Sequence, residues 1–462
     1  MKRFGIILGS ILGILIVIFL MITTSVDTTP YYNGDYYKKT QARIDSLKGA
    51  FTCENDSLKA GFAKVSITPG LNNKEDQYLE GKFKEVPLAG FGARKGKGAT
   101  GVHDSIFVKA AAIKVKNQMA VIVGADLLIM PPNIIDEVTA LLAQKGIKRS
   151  QVFYSASHSH SSVGGWGPGF IGEQFAGKEN KNISKWLVQQ ISNVVIAAIA
   201  DLRPARLGTG SFDASVYTRN RLIGESGTKN SDFSYITIAQ TGGKKAIIGS
   251  FSAHATTLGD ENMEFSADYP GYWERKMEKS SADIAIFCAG SVGSQSPSGE
   301  GKGFEKPKLI GESLSDSLNV YLPHTVLQDK VTLSSLSLKM NLPMYNMRIT
   351  TKLNLISRLS EKLMPVPQNV YLQTLRIGKL IWITTPCDFS GEYALQIKNT
   401  LAAKGFSANI TSFNGSYVGY IIPGRYFYLD AYEPKTMGWF GPNMGEYTVE
   451  LIRHLTDIVT KN

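Results

Sequence analysis

The sequence predicts an α/β fold: mixed β-sheets flanked by α-helices in a single large domain, preceded by one N-terminal transmembrane helix. Three observations lead there. Short apolar runs alternate with amphipathic stretches of helical period through most of the chain. Many of those runs stop at Gly-, Pro- or Ser-rich turns. An uncharged apolar segment, Phe4 to Ile22, opens the chain behind Lys2 and Arg3.

The N-terminal segment is 19 residues long; as a helix it extends roughly 28 Å, close to the ~30 Å hydrocarbon core of a bilayer. The two preceding cations favour an N-in orientation and place the rest of the chain outside the cytoplasm, on the periplasmic or extracellular side. A cleaved signal peptide is the rival reading. No Ala-x-Ala site follows and the apolar region is long, so an uncleaved anchor over 1–24 is expected. Residues 25–57, with their Tyr- and Lys-rich stretch, read as a stalk, and 58–462 as the folded domain.

That domain opens with a strand from Leu58 that ends at Pro69-Gly70. Strands are expected at Met119–Leu128, Gln151–Ala156, Phe233–Ala239, Ala246–Phe251 and Ile284–Cys288. Helices are expected at Asn133–Gln144, Ile183–Leu202, near Tyr272–Lys279 and at Pro307–Val320. Asn369–Arg376 and Leu380–Thr385 flank Ile377-Gly378-Lys379 as a hairpin. No internal repeat or low-complexity tract is present.

With 43% hydrophobic and 19% charged residues, the composition is that of a globular protein carrying an extra apolar segment. The formal charge of +11, 50 basic against 39 acidic residues, is scattered and reads as a solvated surface more than as a face for anionic lipid. No interleaving of aromatic and basic residues suggests a nucleic-acid partner. The three cysteines, Cys53, Cys288 and Cys387, allow at most one disulfide and lack metal-type spacing.

Chemistry concentrates where apolar strands end. Val152-Phe153-Tyr154 runs into Ser157-His158-Ser159-His160, holding two of the six histidines. If the strand continues, side chains at i and i+2 share a face, and both imidazoles project together. Ile247 to Phe251 leads to His254, and Leu380 to Thr385 leads to Asp388 with Glu392 close behind. Asn409 to Phe413 leads to Tyr417 and Tyr420. A catalytic zinc needs about three His or carboxylate ligands and an open position. His158, His254 and Asp388 meet that count, with Tyr420 a further oxygen. Spacing alone does not select them over other polar strand-end residues. Asp126 suggests a residue orienting a histidine. His103 lies near an entrance or caps a strand, while His324, His454, Asp268 and Tyr272 have ordinary structural readings.

Six segments, in order, resemble the catalytic domain of neutral, non-lysosomal ceramidases, zinc amidases of ceramide. The family's Thr-His-Thr-His-Ser-Gly matches Ser157 to Ser162, its Asn-Arg-Ser matches Asn220-Arg221-Leu222, and its Val-His-Gly-Thr matches Ala253 to Thr256. The Asn-x-Gly-Asp-x-Ser-Pro-Asn loop resembles Ser291 to Ser298. Leu-Arg-Ile-Gly-x-Leu before Pro-Gly-Glu-Phe matches Leu375 to Leu380 before Pro386-Cys387-Asp388-Phe389. Tyr-x-x-Tyr, Tyr-Glu and Gly-Pro match Tyr417 to Tyr420, Tyr432-Glu433 and Gly441-Pro442. The resemblance runs from about residue 60 to 455 and leaves no room for the family's C-terminal immunoglobulin-like domain.

The resemblance implies a Zn2+ ion on His158, His254, Asp388 and Tyr420. It implies acid–base or substrate-positioning work for His160, oxyanion stabilisation by Arg221, and a substrate contact at Ser296. Asp388 replaces a glutamate, one methylene longer, so its loop must approach closer or Glu392 must substitute. The implied activity is zinc-dependent hydrolysis of an N-acyl amide, with a ceramide-like lipid or small acyl-amide as substrate. The alternatives are a zinc hydrolase of other amides or esters, or a non-catalytic envelope protein that keeps the scaffold.

Overall fold

Twelve strands hydrogen-bond into one mixed sheet in the computed structural model, which describes residues 2–461. In chain order they are β1 (Glu54–Ser66), β2 (Phe107–Val115), β3 (Gln118–Ala125), β4 (Val152–Ala156), β5 (Arg203–Asp213) and β6 (Asp232–Gln240). The remainder are β7 (Lys245–Phe251), β8 (Ile284–Ala289), β9 (Lys330–Lys339), β10 (Tyr371–Ile377), β11 (Leu380–Thr384) and β12 (Ser407–Thr411). The order is β8-β7-β6-β5-β1-β9-β10-β11-β12, and β2-β3-β4 branches from the second half of β1. Three pairs are parallel, β3–β4, β7–β8 and β11–β12; the other pairs within the sheet are antiparallel.

The sheet folds back on itself around an inner core that joins Phe62, Ile113, Ile122 and Phe153 to Ile236, Ile248, Ile286 and Trp382. Gly124 makes the close approach of the two leaves feasible, since a Cβ there would lie 2.5 Å from Ile286 Cγ2. Helices cover the outer faces. In chain order the described helices, of which α1 stands off the sheet, are α1 (Lys2–Ile22), α2 (Asp35–Ala50), α3 (Pro132–Ala143), α4 (Gly169–Ala176), α5 (Lys181–Ala200), α6 (Asp268–Ser280), α7 (Glu305–Tyr321), α8 (Ser357–Leu363), α9 (Gly391–Ala402) and α10 (Met444–Val459). α3 and α5 pack outside β2–β4, α6 and α7 outside β6–β8, and α9 and α10 outside β10–β12. A strand covered on both faces reads as a continuous apolar run. In β4, Val152 and Tyr154 enter the outer core while Phe153 enters the inner one.

The predicted elements recur within a few residues of their expected bounds, and mixed sheets with flanking helices form one large domain. The stalk is corrected. Residues 25–57 pack onto the domain: α2 buries Ile44 completely, Tyr36 and Tyr37 pack on Tyr447 of α10, and Glu54 to Ser57 pair with β9. The aromatic composition of that stretch supplies a packing face. α1 differs from every other helix. Its large apolar side chains from Phe4 to Met21 are all 45–73% exposed. α5, also long and apolar enough to cross a membrane, is a core helix with Ile183, Trp186, Leu187 and Ile191 buried.

Candidate metal centre

The three parallel strand pairs bring their carboxyl ends to one side of the molecule, where ligands bind in parallel α/β sheets. His158 follows β4, His254 follows β7 and Asp388 follows β11. β4 ends at Ala156, and Ser157 extends the pairing through its N–H to the Ala125 carbonyl at 2.8 Å. His158 then turns left-handed at φ 62°. The His158 and His160 rings therefore meet through a turn instead of sharing one face of an extended strand. Their planes stand at 90° and their Nε2 atoms lie 3.2 Å apart. Gly90 permits this, because a Cβ on it would sit 2.6 Å from His160 Cα.

Each of the two candidate ligand histidines is oriented from behind. His158 Nδ1–H donates to the Leu128 carbonyl at 2.7 Å, and its ring stacks on Phe413 with centroids 4.4 Å apart. His254 Nδ1–H donates to the Gln295 carbonyl at 2.8 Å. Such bonds place the lone pair on Nε2. Burial pushes His158 down to about 3 and His254 well below the usual histidine range, which keeps both neutral.

Asp388 lies in the short strand Asp388–Phe389, paired parallel to Tyr420–Ile421 with Asp388 opposite Tyr420. It is fully buried, and burial pushes its carboxyl up against the opposing influence of His158, Tyr417 and Arg221. Oδ2 accepts from the Tyr417 hydroxyl at 2.7 Å, while Oδ1 has no hydrogen-bond donor among the described residues. Oδ1 stands 3.1 Å from His254 Nε2 and 3.5 Å from His158 Nε2. Three lone-pair atoms thus face one another within 4.8 Å. An Asp388 oxygen without a donor beside two neutral imidazole nitrogens is complementary to a cation, so the residues fit a divalent ion. Glu392 does not join this group: its carboxylate is engaged by Arg425 and Tyr426.

Beside this cluster, Arg221 follows the strand Thr218–Asn220. Its Nη2 donates to the Tyr420 hydroxyl at 2.9 Å and lies 3.0 Å from His254 Nε2. Its Nε donates to Glu433 Oε1 at 2.7 Å. Burial opposes the charge, but Tyr420 and Glu433 outweigh it and hold the guanidinium above its ordinary value. Tyr420 Oη is 2.8 Å from His254 Nε2. His160 packs on Phe91, and its buried Nδ1 has no partner among the described residues. Burial first, then His158 and His254, keep this imidazole neutral. Ser296 lies on the strand Gln295–Pro297, opposite Arg219, and its hydroxyl has no hydrogen-bond partner among the described residues. The adjacent Gln295 carbonyl is the group that orients His254.

A cavity of about 190 Å³ opens from the cluster. His158, His160, Tyr417 and Tyr420 lie among its lining residues, and Trp166, Phe175, Met347, Met364, Met437 and Trp439 make apolar walls. Sequence reasoning missed Glu433 as the partner of Arg221, the Leu128 and Gln295 carbonyls and the Phe413 ring. Carbonyls carry no residue-type signal, and Glu433 stands 212 positions from Arg221. Asp126 does not orient a histidine; it accepts from the Phe107 N–H at 2.8 Å. His103 pairs with Tyr272 at 3.0 Å and stacks on Phe304. Asp268 holds the loop after His254, accepting from the Thr257 and Leu258 N–H groups.

Fold and site together define an α/β protein with a buried His–His–Asp cluster of metal-binding type at the base of an apolar cavity. Residues 76–310 match the family described as neutral/alkaline non-lysosomal ceramidase, N-terminal, and the chain belongs to that family. It is 26% identical over 240 residues to the neutral ceramidase of Pseudomonas aeruginosa, an alignment covering 47% of this chain and 36% of the relative's length. The fold is similar to the crystal structure of neutral ceramidase from Pseudomonas aeruginosa, with TM-score 0.72, 18% identity, and coverage of 87% of this chain and 75% of that one. It is likewise similar to a ceramidase complexed with C2, with TM-score 0.75 at the same identity and coverage.

Proposed function

We propose that this protein is a membrane-anchored, zinc-dependent amidohydrolase that cleaves the N-acyl bond of a ceramide-like lipid. The observation that carries this reading is the convergence of three candidate ligand atoms, from His158, His254 and Asp388, beside the Arg221 guanidinium at an apolar cavity. Two imidazoles and a carboxylate are a ligand set suited to zinc, and Tyr420, with its hydroxyl 2.8 Å from His254 Nε2, would add a fourth protein ligand. Bound zinc supplies a water of lowered pKa and polarises a carbonyl.

The remaining work falls to the chain's own residues. Arg221, kept charged by Glu433 and Tyr420, offers a fixed positive group to the oxygen on which negative charge develops. Its placement costs no reorganisation during reaction, because Glu433 and Tyr420 already hold it. His160, neutral with an unpartnered Nδ1, would take the proton released by the attacking water and pass it to the departing amine. Ser296 contacts a substrate hydroxyl. The apolar walls take an acyl chain, with burial worth ~0.8 kcal/mol per methylene. α1 crosses the membrane and leaves the domain outside the cytoplasm.

The test is metal analysis of the purified protein together with hydrolysis of N-acyl sphingoid bases. Stoichiometric zinc and release of fatty acid are expected, both lost in the His158→Ala/His254→Ala variant. Zinc and activity that survive the double substitution overturn the ligand assignment. Cleavage of N-acyl amino acids or simple esters in place of N-acyl sphingoid bases overturns the substrate.

A further inference from the structure

The chain leaving α1 does not swing free. The Ile356 N–H donates to the Ile22 carbonyl at 3.0 Å, and the Val26 N–H donates to the Lys352 carbonyl at 3.2 Å. Between these bonds, Thr23–Ser25 pairs antiparallel with Leu353–Leu355, Thr23 opposite Leu355 and Thr24 opposite Asn354. Leu353–Leu355 is also the return arm of a hairpin: its Leu355 N–H donates to the Met347 carbonyl at 2.7 Å, and Ile349 N–H donates to the Leu353 carbonyl at 2.9 Å. Met347 belongs to the cavity wall. Thr23 and Met347 therefore stand level on the outer arms of a three-strand clasp, two inter-strand steps or about 10 Å apart.

The cavity mouth lies in the same neighbourhood. Its exposed lining residues are Pro168, Pro365, Tyr432 and Thr436. The clasp runs through α8 into Pro365, and Gly169 packs so tightly there that a Cβ would sit 2.7 Å from Pro365 Cδ. Arg348, in the clasp hairpin, donates to the carbonyls of Phe427 and Pro434 at 2.6 and 2.7 Å, which ties in the loop bearing Tyr432. On these segments Phe170, Ile349, Tyr428 and Leu429 are 37–65% exposed. Lys352, Arg358 and Lys362 are exposed beside them and make no ion pair among the described residues.

We propose that the clasp presses the cavity mouth onto the bilayer, with Phe170, Ile349, Tyr428 and Leu429 seated in the headgroup zone of an anionic leaflet. The substrate then passes from leaflet to site without crossing bulk water. The proposal rests on the reading of α1 as an anchor and of the site as a lipid amidase. The 21 residues of α1 extend about 32 Å, enough to cross the ~30 Å core and set Ile22 at its outer boundary. A rim about 10 Å from that boundary falls where aromatic side chains and lysine or arginine favour the interface.

The test uses the full chain with Cys53→Ser, which removes the exposed thiol, reconstituted in vesicles of phosphatidylcholine and phosphatidylglycerol. An environment-sensitive dye is attached at Leu429→Cys, or as a control at Lys379→Cys, in the turn at the far end of β11 from Asp388. Nitroxide lipids are expected to quench the dye at 429 and spare it at 379. Thr24→Pro, which breaks the clasp but keeps the anchor, is expected to reduce the signal at 429 to the control level. Equal quenching at both positions, or quenching at 429 indifferent to Thr24→Pro, overturns the proposal. In activity, the triple variant Phe170→Ser/Ile349→Ser/Leu429→Ser is expected to lose about tenfold on substrate embedded in the vesicles and to keep its rate on a soluble short-chain N-acyl amine. Equal loss on both, or no loss, counts against docking. A wild type that cleaves neither substrate refutes the enzymatic reading, while quenching still decides the docking. A chain that does not float with the vesicles refutes the anchor.

Discussion

The guanidinium of Arg221 donates to the hydroxyl of Tyr420 at 2.9 Å across 199 positions of sequence, and the same hydroxyl lies 2.8 Å from His254 Nε2. A cation, a phenol and a candidate metal ligand are thereby locked into one group. The lock depends on Glu433, which takes the Nε of Arg221 and the hydroxyl and N–H of Ser294.

Arg221→Lys keeps a charge but loses the fork that reaches Glu433 and Tyr420 together. The expected outcome is a fall of about 10²–10³ in kcat on an N-acyl sphingoid base with zinc content unchanged. Loss of zinc in this variant would place Arg221 in metal retention instead.

Tyr417→Phe removes the one donor to Asp388 Oδ2 without altering the buried shape. Zinc affinity is expected to drop by about 10–100-fold, read by competition with a chelating dye. Asp388→Asn is expected to lose more, since the anionic ligand itself is gone.

Metal removal should show in stability. Only the folded chain brings His158, His254 and Asp388 together, so a zinc ion held there would bind it in preference to the unfolded one. Free zinc at about 1,000 times its Kd is worth about 4 kcal/mol by linkage. Chelation is expected to lower the Tm of the wild type and to leave His158→Ala/His254→Ala unmoved, by scanning calorimetry.

Lys109→Met tests a buried charge away from the site. Lys109 Nζ lies 2.9 Å from Glu274 and 2.9 Å from Glu278. Burial alone would lower the amine, yet the two glutamates and Asp126 hold it above its ordinary value. Glu278 keeps Lys64 at 3.1 Å, whereas Glu274 has no other cation among the described residues. Burial already raises Glu274, and removal of the amine raises it further. A carboxyl whose folded pKa exceeds its unfolded value contributes stability below the unfolded value that is lost as pH rises through the folded one. The variant is therefore expected to lose about 3–5 kcal/mol at pH 8 and less at pH 5, by urea unfolding. A penalty independent of pH would contradict this account.

Much of the site was legible because it lies at strand ends. Apolar runs ending in Ser-His-Ser-His, in Ala-His-Ala and in Pro-Cys-Asp announce polar groups just past buried strands, and parallel pairing carries those ends to one side. Strand period predicts one shared face for His158 and His160, but a left-handed turn at His158 is what brings the two rings together. Asp388 and Glu392 were equivalent in sequence; only the pairing of Asp388 with Tyr420 put the first on the histidines and left the second on Arg425.

By itself, then, the sequence determined the α/β class, the apolar helix at the N-terminus and the residue types of the cluster, because periodicity and composition are local properties of a chain. Tertiary structure decided the rest. It put Asp388 and not Glu392 beside the histidines, joined Glu433 to Arg221, packed residues 31–57 onto the domain and clasped Thr23–Ser25 beside the cavity wall. These are contacts between segments far apart in sequence, set by sheet order and backbone hydrogen bonds that no residue type encodes.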